Sequence, residues 1–305
     1  MKRKLPQAVL LAGVGSADTK AARALFDRVA DTLRAAFPKI AGARIEYGVT
    51  SRSVLRGGDS GFLSVAEALE RLQQAGIRRA IVLPLHLLAG SEFSRGVREP
   101  VEEYGGHFEN LQLIEPLLSD PGNPEGYEKL LETAVGDIER NPEEELVLVG
   151  HGSRHGAHES YRRLQEIADE RWQDVHIGCL MGEPGLEAVD ARLAARGVAP
   201  AGTTDSAARG APPAAATRPP AERAIVLSPL LVFPGNHTYR DVAGEEPDSW
   251  QSRLSARGYR VRSDVTTLGQ RDAMARLYGE MLKAAIDGGK MEVKLVTNHE
   301  TEVPR

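Results

Sequence analysis

Apolar residues along this chain fall into two rhythms. Unbroken runs, such as "AVLLA" (Ala8 to Ala12) and those near Arg44 to Val49, Ala80 to Pro84 and Leu111 to Ile114, read as strands buried on both faces. Between them the apolar positions spread out. Leu25, Val29 and Leu33 recur every fourth residue and predict a helix over Lys20 to Ala36. Helices over Val65 to Gln74 and Glu125 to Arg140 follow from the same spacing. Strand and helix alternate, so the expected fold is α/β, with mostly parallel sheets flanked by helices.

The pattern then repeats. "LLAGVGS" (Leu10 to Ser16) matches "VLVGHGS" (Val147 to Ser153), with Gly13 falling on Gly150. "RAIVLPLHLLAGSEF" (Arg79 to Phe93) matches "RAIVLSPLLVFPGNHT" (Arg223 to Thr238) with one residue inserted, and "NPEGYEKLLETAVGDI" resembles "GQRDAMARLYGEMLKAAI". These matches, in the same order, predict two similar α/β halves, residues 1–140 and 141–288. The segment Val198 to Glu222 is rich in Ala, Pro, Gly, Thr and Ser and reads as a flexible surface insertion. Residues 289–305 carry little core signal and are expected to fray.

Composition narrows the partners. A net charge of −5 with no long basic block disfavours nucleic acid and anionic membranes. Cys179 is the single cysteine, so no internal disulfide forms. "MKRK" starts like a signal peptide, but Pro6 interrupts and the apolar run behind it is short. No stretch is long enough to span a bilayer, and a soluble cytoplasmic protein is expected. The sequence shows no self-complementary patch, which leaves a homo-oligomer open.

Ligands of open parallel sheets bind at the carboxyl ends of strands. The positions where the two halves differ there are therefore informative. The first half has Val14 where the second has His151, and Glu92 where the second has His237. In "HIGCLMGEPGLEAV", Glu183 lies just past the apolar run and would share their face. Two imidazoles and a carboxylate suit a divalent ion of borderline character: cobalt, iron, nickel or zinc. Each residue also has a plainer role open to it. Either histidine could satisfy a local backbone group, and Glu183 could serve a helix dipole, with Glu187 taking its place as ligand. His155 is expected to line the cleft, His158 to face solvent, and Asp241 to orient His237. Cys179 reads as a small buried hydrophobe and Trp250 as a core anchor.

Taken together, "GHGSRHGAHESY", "LHLLAGSEF", "GVTSR" and "GNHTYRDVAGEEPDSW" resemble the class II tetrapyrrole chelatases, most of all the sirohydrochlorin cobaltochelatases of the anaerobic pathway. The resemblance covers nearly the whole chain outside the insertion and the tail. It implies two similar α/β domains with a tetrapyrrole cleft between them. It also implies insertion of Co²⁺ into sirohydrochlorin, with release of two protons, in cobalamin biosynthesis and without a nucleotide. The family's metal ligands would fall on His151, Glu183 and His237, the two histidines also being catalytic. A polycarboxylate substrate calls for cations, and Arg52, Arg95, Arg98 and Arg240 are candidates; Glu92 would line the cleft from the first half. The same residues would accommodate Fe²⁺ or Ni²⁺ as the inserted metal, or a carrier without turnover. A metal-dependent hydrolase is disfavoured because no activated nucleophile is evident. The Pro/Ala-rich insertion and the loose match around Glu183 depart from the family's pattern.

Overall fold

A computed structural model describes residues 5–56, 61–152, 158–197, 224–288 and 293–296. The insertion at 198–222, His155 and most of the tail lie outside these residues. Two compact units emerge. One runs to Gly122 and resumes at Gly269; the other is Asn123–Leu268.

The first unit is built on β1 (Ala8–Gly13), α1 (Thr19–Ala36), β2 (Arg44–Val49), α2 (Arg52–Arg56), β3 (Leu63–Ser64), α3 (Val65–Gln74) and β4 (Arg79–Pro84). A short helix, α4 (Ser91–Phe93), continues through a wide π-type turn at Ser94–Arg98 into α5 (Glu99–Tyr104), and β5 (Asn110–Ile114) follows. The second unit comprises α6 (Pro124–Gly136), β6 (Glu145–Gly152), α7 (His158–Arg171), β7 (Val175–Met181), α8 (Leu186–Ala195) and β8 (Ala224–Pro229). Another π-type turn, His237–Val242, leads to α9 (Trp250–Ala256) and β9 (Arg260–Ser263). The chain then returns to the first unit with α10 (Asp272–Asp287) and β10 (Val293–Val296).

The sheet orders are β10-β5-β4-β1-β2-β3 and β7-β6-β8-β9. Every described pairing is parallel except β10 against β5. Setting β3 and β10 aside, the two sheets share one order, with β6 in the place of β1 and β8 in the place of β4. Successive strand residues point to opposite faces, which explains the unbroken apolar runs. Leu10, Ala12 and Val82 pack with Leu69 and Leu72 of α3 and with Phe93 and Val97 beyond β4. In the second unit Val147, Val149, Ile225 and Leu227 pack with Val189 and Leu193 of α8 and with Trp250 and Leu254 of α9. Each fully buried Leu, Val, Ile or Phe among them contributes about 1.5–3 kcal/mol.

Local signals set the helix ends. Asp18 caps α1 by accepting from the Ala21 amide at 3.0 Å. Ser64 and Glu67 form a reciprocal capping box at α3. The helix expected to reach Arg140 stops at Gly136, and the Arg140 guanidinium instead pairs with Asp174. Among the described residues no helix is long and apolar enough to cross a membrane.

Two expectations change. The units do not divide at residue 140, because the two closing helices change places: α6 packs on α7, while α10 packs on α1. Each is tied by a buried tyrosine. Tyr127 donates to Ser160 Oγ at 3.0 Å, and Tyr278 donates to the Leu85 carbonyl at 2.9 Å. The tail also does more than fray, since Val293–Val296 adds an antiparallel edge strand to β5.

In the second unit, Arg262 of β9 reaches Glu144, just before β6, with two bonds of 2.8 Å. Those bonds hold the Glu144 carboxyl down to about 2, against an ordinary 4.5. Glu144→Gln is expected to lower the stability of this unit by about 1.5–3 kcal/mol near neutral pH. A carboxyl depressed by folding stabilises fully above its unfolded value and loses that effect as pH falls toward its folded value. The deficit of the variant should therefore narrow when denaturant melts at about pH 3 are compared with melts at about pH 7. An equal deficit at both would refute the ion-pair account.

Candidate active site

The strand order of the second sheet reverses between β6 and β8, one leading out to β7 and the other to β9. Crevices at such switch points are where open α/β sheets bind ligands. His151 is the penultimate residue of β6, and His237 begins the turn that follows β8. Their rings meet edge-to-face, with centroids 4.7 Å apart. The second-half histidines singled out by comparing the repeats are thus brought together.

Their hydrogen bonds settle which nitrogen is available. His151 Nδ1 lies 3.0 Å from the Gly152 carbonyl, which can only accept, so Nδ1 carries the proton. His237 Nδ1 lies 2.5 Å from Asp241 Oδ2, one turn further along. With Nδ1 engaged, Nε2 is the nitrogen of each ring left for a ligand, the arrangement by which outer groups orient metal-binding imidazoles. The Asp241 carboxylate thus lies against His237 Nδ1.

Glu183 is placed differently. Its Oε2 accepts from the Gly185 amide at 2.9 Å, capping the approach to α8, and among the described residues no three His, Cys, Asp or Glu side chains gather as a ready metal cage. The neighbour Glu187 is engaged elsewhere, with Arg253 at 2.6 Å and Arg257 at 3.2 Å. Cys179 is buried in β7, and burial, reinforced by Glu183, pushes its thiol up to about 12, which leaves it inert. Trp250 is core, as expected, and a Cβ on Gly178 would lie 2.3 Å from its ring.

One residue on the first turn of α7 escapes sequence reading. Tyr161 is buried, and its hydroxyl accepts from the Gly152 amide at 3.2 Å, bracing the strand end that carries His151. Gly150 makes room for that ring, since a Cβ there would lie 2.4 Å from it. His158, expected to be only solvent-facing, is exposed but binds backbone as well: its Nδ1 lies 3.1 Å from both the amide and the carbonyl of Glu183. His158 and Tyr161 stand three apart and share a helix face, so one turn braces the ends of both β6 and β7. That spacing was the available signal.

Of the proposed cations, Arg98 is committed to a bidentate pair with buried Glu115 at 2.9 and 2.7 Å. Arg52, Arg95 and Arg240 are exposed and form no ion pair among the described residues. Glu92 opens the first unit's π-turn region, bonded to Thr50.

The sequence profile of the cobalt chelatases (CbiK) matches residues 7–287. The chain belongs to the cobalt chelatase family CbiK. It is a metal chelatase. Sirohydrochlorin cobaltochelatase CbiKC of Nitratidesulfovibrio vulgaris is 28% identical over 285 residues, covering 91% of this chain and 90% of the relative. The sirohydrochlorin cobaltochelatase of Salmonella typhimurium is 24% identical over 221 residues, covering 72% and 74%. Among solved structures, SirB from Bacillus subtilis with Fe3+ shares the fold with a TM-score of 0.60 at 16% identity, over 94% of this chain and 99% of its own.

Proposed function

We propose that this CbiK-family chelatase inserts Co²⁺ into sirohydrochlorin, releasing two protons and using no nucleotide. The observation that carries this reading is the His151–His237 pair, whose Nδ1 atoms are both engaged while both Nε2 atoms are left as donors at the switch point of the second sheet. Its relatives' names give the substrate and the metal by analogy.

The incoming metal binds the two Nε2 atoms, with Glu183 Oε1 as a third donor while Oε2 stays on the Gly185 amide. Three weak donors leave room for exchangeable water, so the ion can leave. As ring nitrogens replace the imidazoles, a freed Nε2 takes a pyrrole proton. Asp241 stabilises the resulting imidazolium on His237. Arg52, Arg95 and Arg240 meet the substrate's carboxylates; Glu92 and His155, the latter outside the described residues, meet the substrate elsewhere.

Anaerobic mixing of sirohydrochlorin with Co²⁺, Fe²⁺ or Ni²⁺, followed by absorbance, tests the reading. Fastest insertion is expected with Co²⁺, well above the protein-free rate. Faster insertion of Fe²⁺ or Ni²⁺ would reassign the metal. Pigment binding with no acceleration by any of the three would leave a carrier and reject the enzyme.

A further inference from the structure

The carboxyl end of the first sheet holds a second polar chain that the metal site does not use. Thr50 follows β2 and His86 follows β4, the strands on either side of β1. His86 is 7% exposed. Its Nε2 lies 3.2 Å from Thr50 Oγ1, and Thr50 Oγ1 donates to Glu92 Oε1 at 3.0 Å. A hydroxyl carries one proton and a carboxylate only accepts. The Thr50 proton therefore goes to Glu92, and the Thr50 oxygen must receive the proton on His86 Nε2. The bonds run one way, from His86 through Thr50 to Glu92.

Packing fixes the chain from both ends. The Thr50 amide donates to the Gly13 carbonyl at 2.9 Å. The π-type turn presses so close that a Cβ on Gly96 would lie 2.7 Å from Thr50 Cβ. The His86 ring meets Phe93 edge-on at 5.9 Å. Burial holds the imidazole down to about 4, and the ring stays neutral. Glu92 Oε2 has no partner among the described residues.

The two units make the comparison sharper. Leu85 and Leu230 occupy equivalent places, donating to the Ala12 and Val149 carbonyls at 2.7 and 2.8 Å. His86 then corresponds to Leu231, so the fold does not require an imidazole there. Counting on from the same point, Glu92 corresponds to His237. Each unit thus presents one polar group at this place, and each group is oriented from behind: His237 by Asp241, Glu92 by Thr50 and His86.

We propose that Thr50 and His86 are positioning residues that aim Glu92 as the proton acceptor contributed by the first unit. The inference rests on the chelatase reading and on Glu92 meeting the tetrapyrrole. In the step, Glu92 Oε2 takes a proton from a ring N–H. That nitrogen keeps the electron pair and gives it to the metal, and the carboxyl then passes the proton to water. Oε1 remains tied to Thr50 throughout.

Steady-state metallation by the full chain tests this, with thermal unfolding as the check on folding. Thr50→Val keeps the shape and removes the hydroxyl; kcat should fall about 10- to 100-fold, the usual loss when an orienting partner is removed, with KM changed less than about twofold. Thr50→Ser should recover most of that loss. His86→Leu should behave like Thr50→Val, whereas His86→Gln, which can place an N–H near the Nε2 position, should recover it. Glu92→Gln should lose at least as much kcat as Thr50→Val. Wild-type turnover by Thr50→Val or Glu92→Gln would overturn the proposal, as would equal loss in Thr50→Ser and Thr50→Val. His237→Ala run alongside separates the two levels. If the wild type itself is no faster than the protein-free rate, the chelatase reading has failed; if His237→Ala is inactive while Thr50→Val is normal, only the positioning role has failed.

Discussion

His237→Ala is expected to lower the rate of metal insertion by at least about 100-fold, the scale of loss when a positioned general base is removed. The substitution removes a donor to the metal and a proton acceptor together. It also leaves Asp241 without the N–H it orients. The fold should barely notice, because the His237 side chain is 51% exposed and surface substitutions stay within about 0.5 kcal/mol. Asp241→Asn is the graded companion. The amide oxygen can still accept from Nδ1, which preserves the tautomer, but the negative charge behind a forming imidazolium is lost. About tenfold is expected there. Both follow from absorbance during anaerobic metallation, with unfolding midpoints as controls. Equal rates in wild type and His237→Ala, both above the protein-free rate, would remove His237 from the mechanism.

The histidine pair was legible because a duplicated chain supplies its own control. Scaffold residues recur between halves, so Val14 against His151 and Glu92 against His237 stood out at strand ends. The strands were equally plain, since burial on both faces leaves an unbroken apolar run. What stayed hidden depends on three-dimensional neighbours. Tyr161 looks like any apolar residue of an amphipathic helix until its hydroxyl is seen on the Gly152 amide. Thr50 and His86 are 36 residues apart and meet only because β2 and β4 flank β1.

The exchange of closing helices was illegible for a different reason. Residues 124–136 and 272–287 are both amphipathic and both follow the last core strand of a repeat. Periodicity reports that a helix has an apolar face but not which sheet covers it. The edge strand Val293–Val296 is four residues long, too short for its pattern to separate from a tail. For Glu183 the position after β7 was correct, but the carboxylate's bond to the Gly185 amide depends on a turn that no spacing rule describes.

Gly152→Ala is expected to destabilise the second unit by about 2–5 kcal/mol and to abolish insertion with it. Two separate costs add. Gly152 has φ +73°, a region where a side chain costs about 1–2 kcal/mol. Its Cβ would also fall 1.9 Å from the Met181 carbonyl oxygen and 2.8 Å from Cys179 Cβ. The first of these is backbone, paired to Gly152 in the β6–β7 register, so it cannot swing away as a side-chain tip would. Forcing such an atom into a packed site costs a further 1–3 kcal/mol or about that. The only relief is to part the ends of β6 and β7, which displaces His151 on one strand and the approach to Glu183 on the other. Gly197 isolates the steric share. It has nearly the same φ, +72°, but among the described residues nothing lies within 4 Å of where its Cβ would be. Gly197→Ala should therefore cost only the conformational part, about 1–2 kcal/mol, and leave insertion intact. Denaturant unfolding of both variants, followed through the second unit's own transition, makes the comparison. If the two alanines cost the same within about 0.5 kcal/mol, the packing of β6 on β7 is not what holds His151 in place.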